Sequence, residues 1–217
     1  MLGLSLSQTI AVSVLPLLFA ITVHEVAHGW VAKQLGDPTA KMLGRLTLNP
    51  VKHIDPVGTI LVPGILLLMG GFIFGWAKPV PVTWENLKKP KRDMALVAIA
   101  GPAANLLMAL IWALVAKIGL LLVSDMSWLG TPLALMGVVG VTFNLILMVL
   151  NLLPILPLDG GRIVESVLPG PLSWKFSRLE PFGFIILLVL LISGLLSQLL
   201  GAPVQFLEKF IFRFFGL

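Results

Sequence analysis

The sequence predicts an all-α polytopic membrane protein: about four to five spanning helices, one re-entrant or broken segment, short cytoplasmic-side strands and a C-terminal amphipathic helix. Three observations predict it. Of the 217 residues, 58% are hydrophobic and only 12% are charged, against about 25% charged in a soluble domain. Mean hydropathy is +1.02. The apolar residues also fall in runs long enough to cross a bilayer, which takes roughly 20 residues, and one run is interrupted by helix-breaking pairs. A single membrane-embedded domain over 1–217 follows, with a core at about 8–165, an additional membrane helix at 182–200 and an interfacial tail at 203–217.

The first apolar stretch runs from Thr9 to Val31 and is closed by Lys33. A polar segment, Gln34 to Asp55, follows; within it Ala40–Leu48 alternates weakly and predicts a strand or hairpin. The second stretch, Val57–Trp76, is broken by Pro63-Gly64 and Gly70-Gly71. Lys78-Pro-Val-Pro-Val reads as extended chain, and Lys88, Lys89, Lys91 and Arg92 form a basic segment. The third stretch, Met94–Val123, contains Gly101-Pro-Ala-Ala-Asn105. A loop at Asp125 leads to the fourth, Leu129–Leu153, which ends in Asn151-Leu-Leu-Pro-Ile-Leu-Pro-Leu-Asp159-Gly-Gly-Arg162. The fifth is Phe182–Leu200. In the tail, polar residues at Gln205, Lys209 and Arg213 recur every four positions among phenylalanines, the pattern of an amphipathic helix on a membrane surface or packed on the bundle.

Composition narrows the chemistry. There is no cysteine, so no disulfide and no thiolate ligand or nucleophile. The net charge of +5 fits cytoplasmic loops and anionic lipid; no dense basic face with stacking aromatics suggests nucleic acid. The first apolar run lacks a basic n-region and continues into polar motif residues, so it reads as a retained helix rather than a signal peptide.

Charge also predicts topology. Nine of the fifteen basic residues lie between Lys33 and Arg92, on both flanks of Val57–Trp76. Basic flanks favour the cytoplasm. Both can lie there only if Val57–Trp76 enters and leaves on one side. The N-terminus is then outside, and the inner ends of the first and fourth stretches reach the same depth.

At that depth the chemistry converges. His24-Glu25-Val26-Ala27-His28 matches H-E-x-x-H. Residues four apart share a helix face, so both imidazoles can bind one metal, with Glu25 beside them to take a proton from water. A catalytic zinc needs a third protein ligand. Asp159, beside Gly160-Gly161 at the inner end of the fourth stretch, is the better candidate than His53 in its basic loop. Competing readings are histidines hydrogen-bonded across helices and an Asp159 that caps a loop. His53 borders the site if the broken segment folds back on it; otherwise it belongs to an interfacial loop.

Taken together, H24-E-V-A-H28, Gly101-Pro-Ala-Ala-Asn105 and Asn151-x-x-Pro-x-x-Pro-Leu-Asp159-Gly resemble the site-2 protease family of intramembrane zinc metalloproteases, in its compact bacterial and archaeal form without a soluble PDZ or CBS domain. The resemblance implies one Zn²⁺ per chain on His24, His28 and Asp159, Glu25 as general base, and Asn105 and Asn151 lining the substrate region. It implies membrane-spanning protein substrates and a multi-pass protein of the cell membrane with its site toward the cytoplasm. Self-association stays open. The sequence departs from the family at Leu156, where the usual proline has moved to Pro157. Two other classes compete: a zinc or proton transporter using the same ligands, and a membrane zinc protease of the prenyl-protein type, which takes a Glu as third ligand.

Overall fold

The computed structural model describes residues 5–61, 65 and 75–217. Helix α1 spans Leu6–Gln34. Ser5 starts it with a capping box: its hydroxyl accepts from the Gln8 amide, while its own amide donates to the Gln8 side chain. At 29 residues it exceeds the length that a bilayer needs. A one-turn helix, α2 (Thr39–Met42), follows. Gly44, at φ 64°, then takes the left-handed conformation that closes such a turn. The amide of Arg45 bonds to Ala40 and that of Gly44 to Lys41, the paired bonds of a Schellman motif.

The long helices α3 (Pro90–Leu122) and α4 (Ser127–Asn151) form the centre of the bundle. Pro90 stands at the first turn of α3, where its missing amide costs nothing, and the Asp93 carboxylate accepts from the Lys89 amide. Small residues let α3 and α4 approach closely. A side chain at Gly137 would meet Ala116, and one at Gly140 would meet the Trp112 ring. α1 packs across both helices.

Short helices α5 (Asp159–Val167), α6 (Gly170–Ser177) and α7 (Gly183–Ile192) lead to α8 (Leu195–Phe215). Among the described residues, α1, α3 and α4 are each long and apolar enough to cross a membrane. The 170–192 and 195–215 segments qualify together as one more, bent by 82°. The described residues thus supply three or four of the four to five spans expected. The membrane helix expected at 182–200 is interrupted at Gly194, whose φ of 75° ends α7 and starts α8 at Leu195 rather than near Pro203. The amphipathic tail is present, and part of its apolar face lies on protein while Phe206, Phe210 and Phe214 are exposed. Val204 and Ile211 join Trp112, Val141 and Leu145 in the core, and Thr142 donates to Glu208. Gln205, Lys209 and Arg213 point outward.

No strand occurs among the described residues. Ala40–Leu48 starts in a helix that ends at Met42 and continues as turn and bend, and Lys78–Val82 is irregular. Most of the broken apolar segment, 62–64 and 66–74, lies outside the described residues. Its flanks are described, and they are joined. The Trp76 amide donates to Gly58, the Thr59 hydroxyl to Trp76, and the Lys78 amide to His53, at 2.9–3.0 Å.

Candidate metal centre

His24 and His28 lie one turn apart on α1, with ring Nε2 atoms 3.0 Å from each other. Each ring is fixed from behind. His24 Nδ1 is 2.7 Å from Asn105 Oδ1, and His28 Nδ1 is 2.7 Å from the Val97 carbonyl. Carbonyl oxygens only accept, so each Nδ1 carries the proton and donates it. The two Nε2 atoms therefore face each other with lone pairs, a repulsive arrangement unless a cation lies between them.

Asp159 closes the third side. Its Oδ1 is 3.3 Å from His28 Nε2, and its Oδ2 is 3.4 Å from His24 Nε2. Oδ2 is buried and has no hydrogen-bond partner among the described residues. Two imidazole nitrogens and an unpartnered carboxylate oxygen match the donor set of a catalytic zinc. Ligands about 2.0–2.1 Å from a tetrahedral ion stand roughly 3.3–3.4 Å apart, close to the spacing seen.

Glycines make this convergence possible. A Cβ at Gly101 of α3 would run into His28 Nε2 and His24 Cε1. Cβ atoms at Gly160 and Gly161 would strike the backbone of Leu152, Leu153 and Ile155, so bare backbone is what lets α5 start against that turn. The Leu156–Pro157 peptide in this turn is cis, and Asp159 reaches the histidines. Arg162 pairs with Glu165 on its own helix at 3.1 Å and with Glu180, which ties α5 to the chain beyond α6.

A sequence model of peptidase family M50 matches residues 12–123 and 123–193. The chain belongs to peptidase family M50. Its relatives agree. "Putative zinc metalloprotease YwhC" of Bacillus subtilis (strain 168) is 43% identical over 191 residues, covering 86% of this chain and 83% of the relative. "Putative zinc metalloprotease Rip2" of Mycolicibacterium smegmatis is 32% identical over 182 residues, covering 83% of this chain and 66% of the relative. "Zinc metalloprotease MJ0392" of Methanocaldococcus jannaschii is 25% identical over 190 residues, 44% of its own length. No solved structure matches. The M50 assignment makes the chain a zinc metalloprotease and decides against the transporter reading.

The other residues singled out in the sequence surround this cluster in different ways. Asn105 is fully buried behind His24 and hydrogen-bonded across helices. Its amide donates to the Ala20 carbonyl at 3.1 Å and to Asn144 Oδ1 at 3.0 Å, and Asn144 donates to Gly140. Asn151 is half-buried and donates to Leu147 on its own helix. His53 is buried, bonds through Nε2 to the Thr47 carbonyl, and lies outside the metal cluster.

Glu25 reaches the 78–83 segment, where its Oε2 accepts from the Val80 amide at 2.7 Å. Arg45 holds the same segment by donating to the carbonyls of Lys78, at 2.7 Å, and Pro79, at 3.4 Å. Asp37 holds its far end, accepting from the Thr83 amide, the Asn86 amide group, and the Thr39 backbone and hydroxyl. Burial pushes the Asp37 carboxyl upward, but these four donors outweigh it and hold it below the usual carboxylate range. Asn144, Arg45 and Val80 were missed in the sequence. The one signal for Val80 was Pro79-Val-Pro81, which leaves a single amide donor between two residues that have none.

Proposed function

We propose that this M50 protease hydrolyses peptide bonds of membrane-spanning substrates at bilayer depth, with His24, His28 and Asp159 holding one zinc ion and Glu25 as general base. The observation that carries the reading is a cluster of two buried histidines, on a helix long and apolar enough to span, with Asp159 against them and Glu25 beside His24 in the chain. Bound zinc would supply Lewis acidity toward the scissile carbonyl and make water acidic enough to attack near neutral pH. The protein does the rest. Asn105 and the Val97 carbonyl keep the imidazole lone pairs aimed into the cluster. Glu25, with Oε2 on the Val80 amide, takes the attacking water's proton on its other oxygen. It then passes that proton to the amide nitrogen as the C–N bond breaks, leaving one new carboxyl and one new amino terminus.

A substrate helix hides its carbonyls in hydrogen bonds and must unwind locally to be cut. An extended substrate would find few free amide donors along residues 78–81. Pro79 and Pro81 have no amide proton, the Val80 amide is used by Glu25 and the Lys78 amide by His53. The basic flanks of the broken segment, joined to each other, support a site facing the cytoplasm and an N-terminus outside.

The test is Glu25→Gln, purified in detergent with its zinc content measured. Cleavage of a single-span test peptide that the wild type cuts should fall by about 10²–10⁴-fold with zinc retained. Cleavage near the wild-type rate would exclude Glu25 as the base.

A further inference from the structure

Between Lys78 and Thr83 the chain is neither helix nor strand, yet it is held at four points. The Lys78 amide binds the His53 carbonyl, the Arg45 guanidinium binds the Lys78 and Pro79 carbonyls, the Val80 amide binds Glu25, and Thr83 binds Asp37. Arg45 is itself buried, 8% exposed. The Schellman turn through Gly44 brings the backbone of Arg45 back to Ala40, next to α1. A buried guanidinium is costly unless it has a partner, and here its named partners are backbone carbonyls of this segment.

Val80 also meets α1 through its side chain. A Cβ on Gly29, one turn beyond Glu25 on the same helix, would lie 2.8 Å from Val80 Cγ1. The missing side chain at Gly29 thus admits Val80 close enough for its amide to reach Glu25. The flanking prolines fix the backbone on both sides and leave the Val80 amide as the one donor of Pro79-Val80-Pro81.

We infer that Arg45 and the Pro79-Val80-Pro81 segment are positioning elements for Glu25: Arg45 clamps the segment, and the Val80 amide fixes one carboxylate oxygen so that the other points to the attacking water. This rests on the reading of Glu25 as the base. It extends the reaction machinery to residues remote from the H-E-x-x-H motif, and it predicts a fault in rate rather than in metal binding.

Three variants of the full chain test it, with zinc content and the kcat and KM for the single-span peptide measured on each. Val80→Pro removes the amide proton, and Arg45→Met removes the clamp. Each should lower kcat by about 10- to 100-fold, the scale of one hydrogen bond to a charged group, with zinc content at the wild-type level and KM moved far less than kcat. Arg45→Lys keeps a donor and should recover part of the loss. Arg45→Met at wild-type kcat, or loss of zinc in step with activity in both variants, would overturn the inference. Glu25→Gln in parallel separates the two readings. Surviving cleavage there removes the base assignment; an inactive Glu25→Gln beside a fully active Arg45→Met removes the clamp alone.

Discussion

The proposed metal ligands and the proposed general base are held in opposite ways. His24, His28 and Asp159 stand at or in helices, and the two imidazoles are backed by buried acceptors, Asn105 (itself bonded to Asn144) and the Val97 carbonyl. Glu25 shares α1 with the histidines but is held by irregular backbone between residues 78 and 83. The contrast suits their tasks. A ligand set needs fixed distances, which helix geometry and full hydrogen bonding supply. A base that accepts and returns a proton needs one oxygen fixed and one free, which a single amide donor supplies.

Breaking the first region should have the largest effect. Asp159→Ala removes the one carboxylate of the cluster, so zinc content should fall well below one per chain and cleavage to background, measured by metal analysis beside the peptide assay. Asn105→Ala is smaller, because His24 remains but its ring loses the acceptor that fixes its tautomer. Zinc affinity should weaken about 10- to 100-fold, read by competition with a chromophoric chelator. An unchanged affinity would mean that the buried amide pair serves packing alone. The smallest effect belongs to the second region. Gly44→Ala meets no atom within 4 Å, so it costs only the left-handed backbone, about 1 kcal/mol, seen as a drop of a few degrees in melting temperature with zinc content unchanged.

The same contrast divides what the sequence discloses. Helical spacing encodes His24, Glu25 and His28 directly, and charge placement led to Asp159 through topology. Hydropathy found α1, α3 and α4 because an uncharged apolar run of that length satisfies its backbone in lipid only as a helix. It failed at Gly194, since one glycine inside an apolar run barely changes the average yet ends a helix by its backbone angle. It failed also at Ala40–Leu48, where Met42, Leu43 and Leu48 are exposed at 79%, 63% and 57%. Where lipid is a solvent, an exposed apolar side chain carries no penalty, so alternation loses its meaning as a sign of a strand. Asn105 could be singled out but not oriented, because its partner across the bundle, His24, is 81 positions away.

The hydrogen bonds from Trp76 to Gly58 and from Lys78 to His53 have a consequence for how distant changes are felt. They fasten the start of the 78–83 segment, whose Val80 amide meets Glu25, to residues 53–58. A Cβ at Gly58 would strike the Trp76 ring, so a substitution there is passed through Trp76 and Lys78 toward that amide. The proposed base can in this sense be detuned from a glycine that touches neither it nor the metal cluster.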